Sequence, residues 1–193
     1  MKAVFLDRDG VICENRDDYV KSWDEFVWIP GAKQALSLLK ERGYLIIVVT
    51  NQSAIGRGII SRQVVEEIHD KMSTEVLKMG GKIDGIYYCP HQPSRACNCR
   101  KPKPGLLLKA GQDFQLDFSS SYLVGDSLTD VEMGHKLGCI TIMVRTGKGF
   151  RQMRNLTGDE SKPNYIAADL AEAANLIVRR NQPQCKRKTG SFQ

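Results

Sequence analysis

The sequence predicts an α/β fold, a central parallel sheet covered by helices on both faces. Short apolar runs rich in β-branched residues alternate with segments of helical periodicity, and acids or hydroxyl residues stand at the ends of several of those runs. Strands separated by helices form right-handed β-α-β units, and such units require helices over both faces of the sheet.

Five strands are expected, at 2–6, 45–50, 85–89, 122–124 and 139–144. Between the first two, Ala32, Ala35, Leu36 and Leu39 recur at i, i+3, i+4 and i+7, and Gly43 stops the helix. Val65, Ile68, Met72, Val76 and Met79 make a second stripe, with Ser61 as its N-cap and Gly80-Gly81 as its stop. The methionines in that stripe read as core filler. Pro104 fits the first turn of a third helix, and Asp126-Ser127 opens a fourth that ends near Gly138.

A chain of 193 residues buries one sizeable core, so a single domain is expected over 1–180, followed by a disordered basic tail over 181–193. Of the net charge of +6, five units come from Arg179, Arg180, Lys186, Arg187 and Lys188, beyond the last acid, Glu172. A terminal charge run of this kind is ordinarily solvated, and it carries no interleaved aromatics for stacking on bases. No stretch reaches the roughly 20 apolar residues of a membrane helix. The apolar run 3–6 ends at once in Asp7-Arg8-Asp9, unlike a secretory signal, so the cytoplasm is the expected compartment.

The chemistry is concentrated at strand ends, where open parallel sheets bind their ligands. Asp7 and Asp9 follow the first strand in Asp-Arg-Asp-Gly, with Gly10 permitting a sharp turn beneath a ligand. Thr50-Asn51-Gln52-Ser53 closes the second with a hydroxyl and free amides. Arg100-Lys101-Pro102-Lys103-Pro104-Gly105 presents cations, and Gly125-Asp126 through Asp130 ends the fourth in two more acids. A nucleophile, a proton donor and concentrated positive charge are the needs of phosphoryl transfer. Asp130 reads equally as an acid favoured at a helix N-terminus and as a partner of the site.

In this order the four motifs resemble those of the haloacid dehalogenase superfamily phosphohydrolases, over roughly residues 1 to 150. The resemblance implies a three-layer Rossmann-like fold. It makes Asp7 the nucleophile that forms an aspartyl-phosphate, and Asp9 the acid that protonates the leaving oxygen and later activates water. Thr50 would hydrogen-bond the transferring phosphoryl group, and the pattern Arg-Lys-Pro-x-Pro-Gly assigns its lysine to Lys101, leaving Lys103 a solvated charge. Magnesium would be held by Asp7, the carbonyl of Asp9, and Asp126. Only 43 positions separate Asp7 from Thr50 and they are filled by a helix and a strand, so no cap domain is expected.

Cys89, His91, Cys97 and Cys99 form two ligand pairs separated by five residues, a set suited to structural tetrahedral zinc. The loop leads directly into Arg100 and Lys101, so zinc would hold those cations. Cys13, Cys139 and Cys185 stand apart and read as small apolar or tail residues. Together with Gly56-Arg57-Gly58, these motifs resemble the branch of heptose bisphosphate and histidinol-phosphate phosphatases. That implies a small phosphorylated sugar as substrate, hydrolysed at the 7-phosphate of a heptose 1,7-bisphosphate, by a monomer. Arg8, Asn51, Gln52, Ser53 and Arg100 would contact it, and Arg57 and Arg145 are candidates for the second phosphate. Histidinol phosphate is the alternative substrate. A polynucleotide 3′-phosphatase or a zinc-ribbon binding module follows further behind, because the first gains only from the tail and the second leaves the acids unexplained. His69 and His135 read as ordinary packing or surface histidines.

Overall fold

A computed structural model describes residues 1–155 and 162–181. At its centre is a six-stranded sheet of β1 (Ala3–Leu6), β2 (Leu45–Asn51), β3 (Gly85–Cys89), β4 (Tyr122–Gly125), β5 (Ile140–Val144) and β6 (Tyr165–Ala167). The order is β3-β2-β1-β4-β5-β6, and every pairing is parallel. The helices are α1 (Ala32–Glu41), α2 (Ser53–Gly56), α3 (Arg62–Lys78), α4 (Gly105–Phe114), α5 (Leu128–Lys136), α6 (Gly149–Gln152) and α7 (Leu170–Arg180).

The three layers follow from β1, whose four residues are all buried but alternate between two cores. Val4 and Leu6 pack with Leu36 and Leu39 of α1, Ile68 and Met72 of α3, and Ile177 of α7. Ala3 and Phe5 face the opposite way, toward Leu107 and Ala110 of α4 and Met133 of α5. Ser61 caps α3 as expected, its Oγ accepting the Val64 N–H at 3.2 Å. Pro104 stands one position earlier than expected, at the N-cap of α4, where its carbonyl accepts the first helical bond from Leu108 at 3.0 Å.

Four of these elements were not anticipated: the single-turn helices α2 and α6, the helix α7 and the strand β6. The apolar stripe Leu170, Ala173, Ala174 and Ile177 behind the cap Asp169 forms α7, which packs on the α1 side of the sheet. The edge strand β6 is three residues long, too short for a period-two pattern to register. Most of the expected basic tail, from 182 onward, lies outside the described residues.

The chain runs from β1 outward through β2 to β3, then returns to place β4 on the other side of β1. The strand order therefore reverses at β1, and a crevice opens beyond the carboxyl ends of β2, β1 and β4. Among the described residues, the β1–β2 and β2–β3 connections carry a turn at Trp23–Glu25, α1, α2 and α3, with no inserted sheet over the strand ends. No helix among them is long and apolar enough to cross a membrane.

Candidate active site

Residues 7, 50, 101 and 126, distant in sequence, meet because β2, β1 and β4 are neighbours. Asp7 follows β1, Thr50 lies near the end of β2, and Asp126 follows β4. Lys101 reaches under them, its Nζ 2.8 Å from Asp7, 2.7 Å from Asp130 and donating to the Val49 carbonyl at 3.1 Å. Lys103 is instead exposed and donates to the Cys97 carbonyl. Burial by itself would lower the Lys101 ammonium, but Asp130 and Asp7 more than offset it and hold it above its ordinary value.

Asp130 serves both functions foreseen for it. Its Oδ2 accepts from the backbone and hydroxyl of Ser127 at the start of α5, at 3.2 and 2.9 Å, while Oδ1 faces Lys101.

Three buried carboxylates, Asp7, Asp126 and Asp130, lie with oxygens within 4.8 Å of one another, a hard oxygen donor set that suits magnesium. Lys101 alone does not neutralise them. Burial pushes Asp7 up to about 6 despite Lys101, with Asp130 and Asp9 adding to the rise. Burial, then Asp7 and Asp130, push Asp126 up to about 7 against a hydrogen bond from the Lys148 N–H. A divalent cation would relieve this excess of negative charge. Gly10, at φ 86°, packs its backbone against Asp126, and a Cβ there would overlap the carboxylate.

Asp9 faces the same crevice, half-buried. Burial would raise its carboxyl, but the Arg8 guanidinium and hydrogen bonds from Arg8 and Gln52 hold it below the ordinary range. Gln52 Nε2 donates to Asp9 Oδ2 at 2.9 Å and to Thr50 Oγ1 at 3.0 Å. Arg8, expected as a substrate contact, is among the residues that border the crevice. Its side chain is 1% exposed, and its guanidinium is engaged by Asp9, Gln52 and His69. The sequence offered no signal for His69, because a histidine on a helical stripe looks the same whether it packs or pairs.

The second metal cluster is equally compact. Cys89 Sγ lies 3.8 Å from Cys97 and 3.2 Å from Cys99, and His91 Nδ1 lies 3.6 and 3.3 Å from Cys89 and Cys99. Tetrahedral zinc with bonds of about 2.3 Å to sulfur separates its sulfurs by about 3.8 Å, so the donors fit that ion. Arg100 follows directly, its Nη1 donating to the His91 carbonyl at 3.2 Å. Asn51 Oδ1 accepts the Lys101 N–H at 3.1 Å, tying the same loop to β2.

Asp7, Asp9, Thr50, Gln52, Lys101 and Asp126 border a cleft of about 430 Å³, also lined by Asn51, Ser53, Arg57, Arg100 and Lys148. Arg57 therefore faces the cleft, whereas Arg145 does not line it and hydrogen-bonds through its backbone to β6. The size and polar lining suit a small, highly charged molecule.

Fold and site together define a hydrolase of the haloacid dehalogenase type, and the HAD-hydrolase-like family model matches residues 98–173. A D-glycero-β-D-manno-heptose-1,7-bisphosphate 7-phosphatase of Pseudomonas aeruginosa is 39% identical over 91% of this chain and 97% of its own. One from Neisseria meningitidis is 39% identical over 94% and 97%. The crystal structure of the D,D-heptose 1,7-bisphosphate phosphatase from B. bronchiseptica, complexed with magnesium and phosphate, superimposes with a TM-score of 0.88. It is 36% identical and covers 93% of this chain and 99% of its own. The chain belongs to the haloacid dehalogenase-like hydrolases, in the family of heptose bisphosphate phosphatases.

Proposed function

We propose that this chain is a magnesium-dependent phosphomonoesterase that removes the 7-phosphate of D-glycero-D-manno-heptose 1,7-bisphosphate, in the β anomer that the relatives' names carry. The observation behind this reading is the pairing of Asp7 with buried Lys101 beside a second strand-end acid, Asp126. Asp7 Oδ attacks phosphorus and the bond to the leaving sugar oxygen breaks; that oxygen takes the bond's electron pair, and a proton from Asp9, whose carboxyl the incoming anionic phosphate shifts toward its protonated form. Asp9 then accepts a proton from water, whose oxygen attacks the phosphoryl group and returns Asp7 as a carboxylate. Lys101, Thr50 and Asn51 stabilise the charge on the phosphoryl oxygens. Magnesium, held by Asp7, the Asp9 carbonyl and Asp126, supplies positive charge that lets a carboxylate meet a phosphate.

Zinc at Cys89, His91, Cys97 and Cys99 would have a structural role, since these four side chains could fill a tetrahedral shell. It would hold Arg100 at the cleft, where Ser53 and Arg57 would complete the contacts to the sugar phosphate. In the same reading, residues 1–180 form one catalytic domain, working as a monomer in the cytoplasm.

The test is phosphate release with magnesium on both heptose bisphosphate anomers, histidinol phosphate and a 3′-phosphorylated oligonucleotide. A preference of about a hundredfold in kcat/KM for the β anomer, roughly 3 kcal/mol of transition-state discrimination, is the expected result, and the same preference for the α anomer would refute the anomer assignment. Preference for histidinol phosphate or the oligonucleotide would refute the sugar assignment. Activity retained in Asp7→Asn would refute the covalent route.

A further inference from the structure

Arg8 borders the cleft with its side chain 1% exposed. A cation so placed needs acceptors for its rigid fork of donors. Nη2 donates to Asp9 Oδ1 at 2.9 Å and to Gln52 Oε1 at 3.0 Å. Nη1 meets Nε2 of His69 at 3.2 Å.

A guanidinium offers donors only, so Nε2 must present its lone pair. The imidazole is therefore neutral, with its proton on Nδ1. Burial, reinforced by the adjacent guanidinium, pushes His69 down to about 3, in keeping with that state. His69 projects inward from the middle of α3 and is held edge-on by the Tyr88 ring, with centroids 5.5 Å apart.

We propose that His69 is a positioning residue for the proton transfer. It accepts from Arg8, and through Arg8 and Gln52 it fixes both oxygens of Asp9. Oδ1 is held by Arg8 and Oδ2 by Gln52, so the rotamer of Asp9 depends on where the guanidinium rests. Arg8 Nε already has no partner among the described residues, so without an acceptor at residue 69 Nη1 becomes a second buried, unpaired donor and the fork turns to find another. A general acid displaced by about 1 Å loses a large part of its effect, on the order of a hundredfold.

This inference rests on the reading of Asp9 as the acid that protonates the leaving oxygen. The experiment compares kcat/KM of the magnesium-loaded full chain on a sugar phosphate and on p-nitrophenyl phosphate, whose leaving group departs with little need of a proton. In His69→Phe the sugar phosphate should lose about 30-fold and the aryl ester less than about threefold. In His69→Gln, which keeps an acceptor at nearly the same reach, the sugar phosphate should return to within about threefold of the parent. If the phenylalanine variant does not fold, His69→Asn, too short to reach Arg8, takes its place.

Equal losses on both esters, equal losses in the glutamine variant, or no loss would overturn the role of His69. Asp9→Asn runs alongside. Full sugar phosphate turnover in that variant would overturn the reading of Asp9 itself, independently of the result at His69.

Discussion

The ammonium of Lys101 lies 2.7 Å from Asp130, and the two side chains are 2% and 0% exposed. Apart from this ion pair, Asp130 Oδ1 has no hydrogen-bond partner among the described residues. Removing Lys101 therefore leaves a buried carboxylate uncompensated. Lys101→Met should destabilise the fold by about 3–5 kcal/mol as well as abolish turnover. Urea unfolding measures the first effect, and stability equal to the parent would show that the pair does not carry the charge balance of the site.

The acids of the crevice make stability and metal binding depend on pH. In the metal-free chain Asp7 is pushed up to about 6 by burial and Asp126 up to about 7 by burial and its acidic neighbours, both from an ordinary 3.8. The folded chain then holds more protons than the unfolded one. The contribution of these groups is complete below about pH 4 and is lost as pH rises through about 6 and 7. Magnesium needs the deprotonated carboxylates, so its stabilising effect runs the other way. The rise in melting temperature on adding magnesium should be larger at about pH 8 than at about pH 5.5. Equal rises at both would contradict this coupling.

Zinc removal should act on the substrate side of the cleft. The segment from Pro90 to Arg100 has little apolar burial of its own, and its ligands stand next to Arg100. In Cys99→Ser the zinc content should fall below one per chain, the melting temperature should drop, and kcat/KM for the sugar phosphate should fall by about tenfold or more. Metal analysis beside the kinetics decides this. Unchanged kinetics in a zinc-free protein would separate the cluster from the cleft.

Gly10 gives a test of the crevice with no change of charge. Its φ of 86° disfavours any other residue, and a Cβ would strike the carboxylate of Asp126. Gly10→Ala should weaken magnesium binding by about tenfold or more while any zinc bound at Cys89, His91, Cys97 and Cys99 is retained. Titration calorimetry with magnesium is the measurement, and a parental affinity would mean that Asp126 lies outside the metal site.

Much of this architecture was legible from the chain itself, because strands buried on both faces leave continuous apolar runs and amphipathic helices leave their 3.6-residue period. The five longer strands, α1 and α3 emerge from those patterns, α4 and α5 from the end signals Pro104, Asp126-Ser127 and Gly138, and the acids from their place after the strands. The Cys/His cluster was readable for a different reason, since Cys89, His91, Cys97 and Cys99 lie within eleven residues and need no long-range folding to meet. The stripe of α7 was present too, but it sat beside the basic tail and was overshadowed by it.

Contacts set by strand order were not legible. That β1 lies between β2 and β4 follows from how the whole sheet packs, and this alone brings Asp7 beside Asp126 and Thr50. The same holds for Arg8, whose partners Gln52 and His69 lie on β2's end and on α3 and are not signalled by its neighbours in sequence. Local periodicity records which face of an element turns inward, and so the sequence by itself determined the layers and the residue types at each strand end. Which buried polar group answers which depends on side chains meeting across elements more than forty residues apart, and only the tertiary structure decided it.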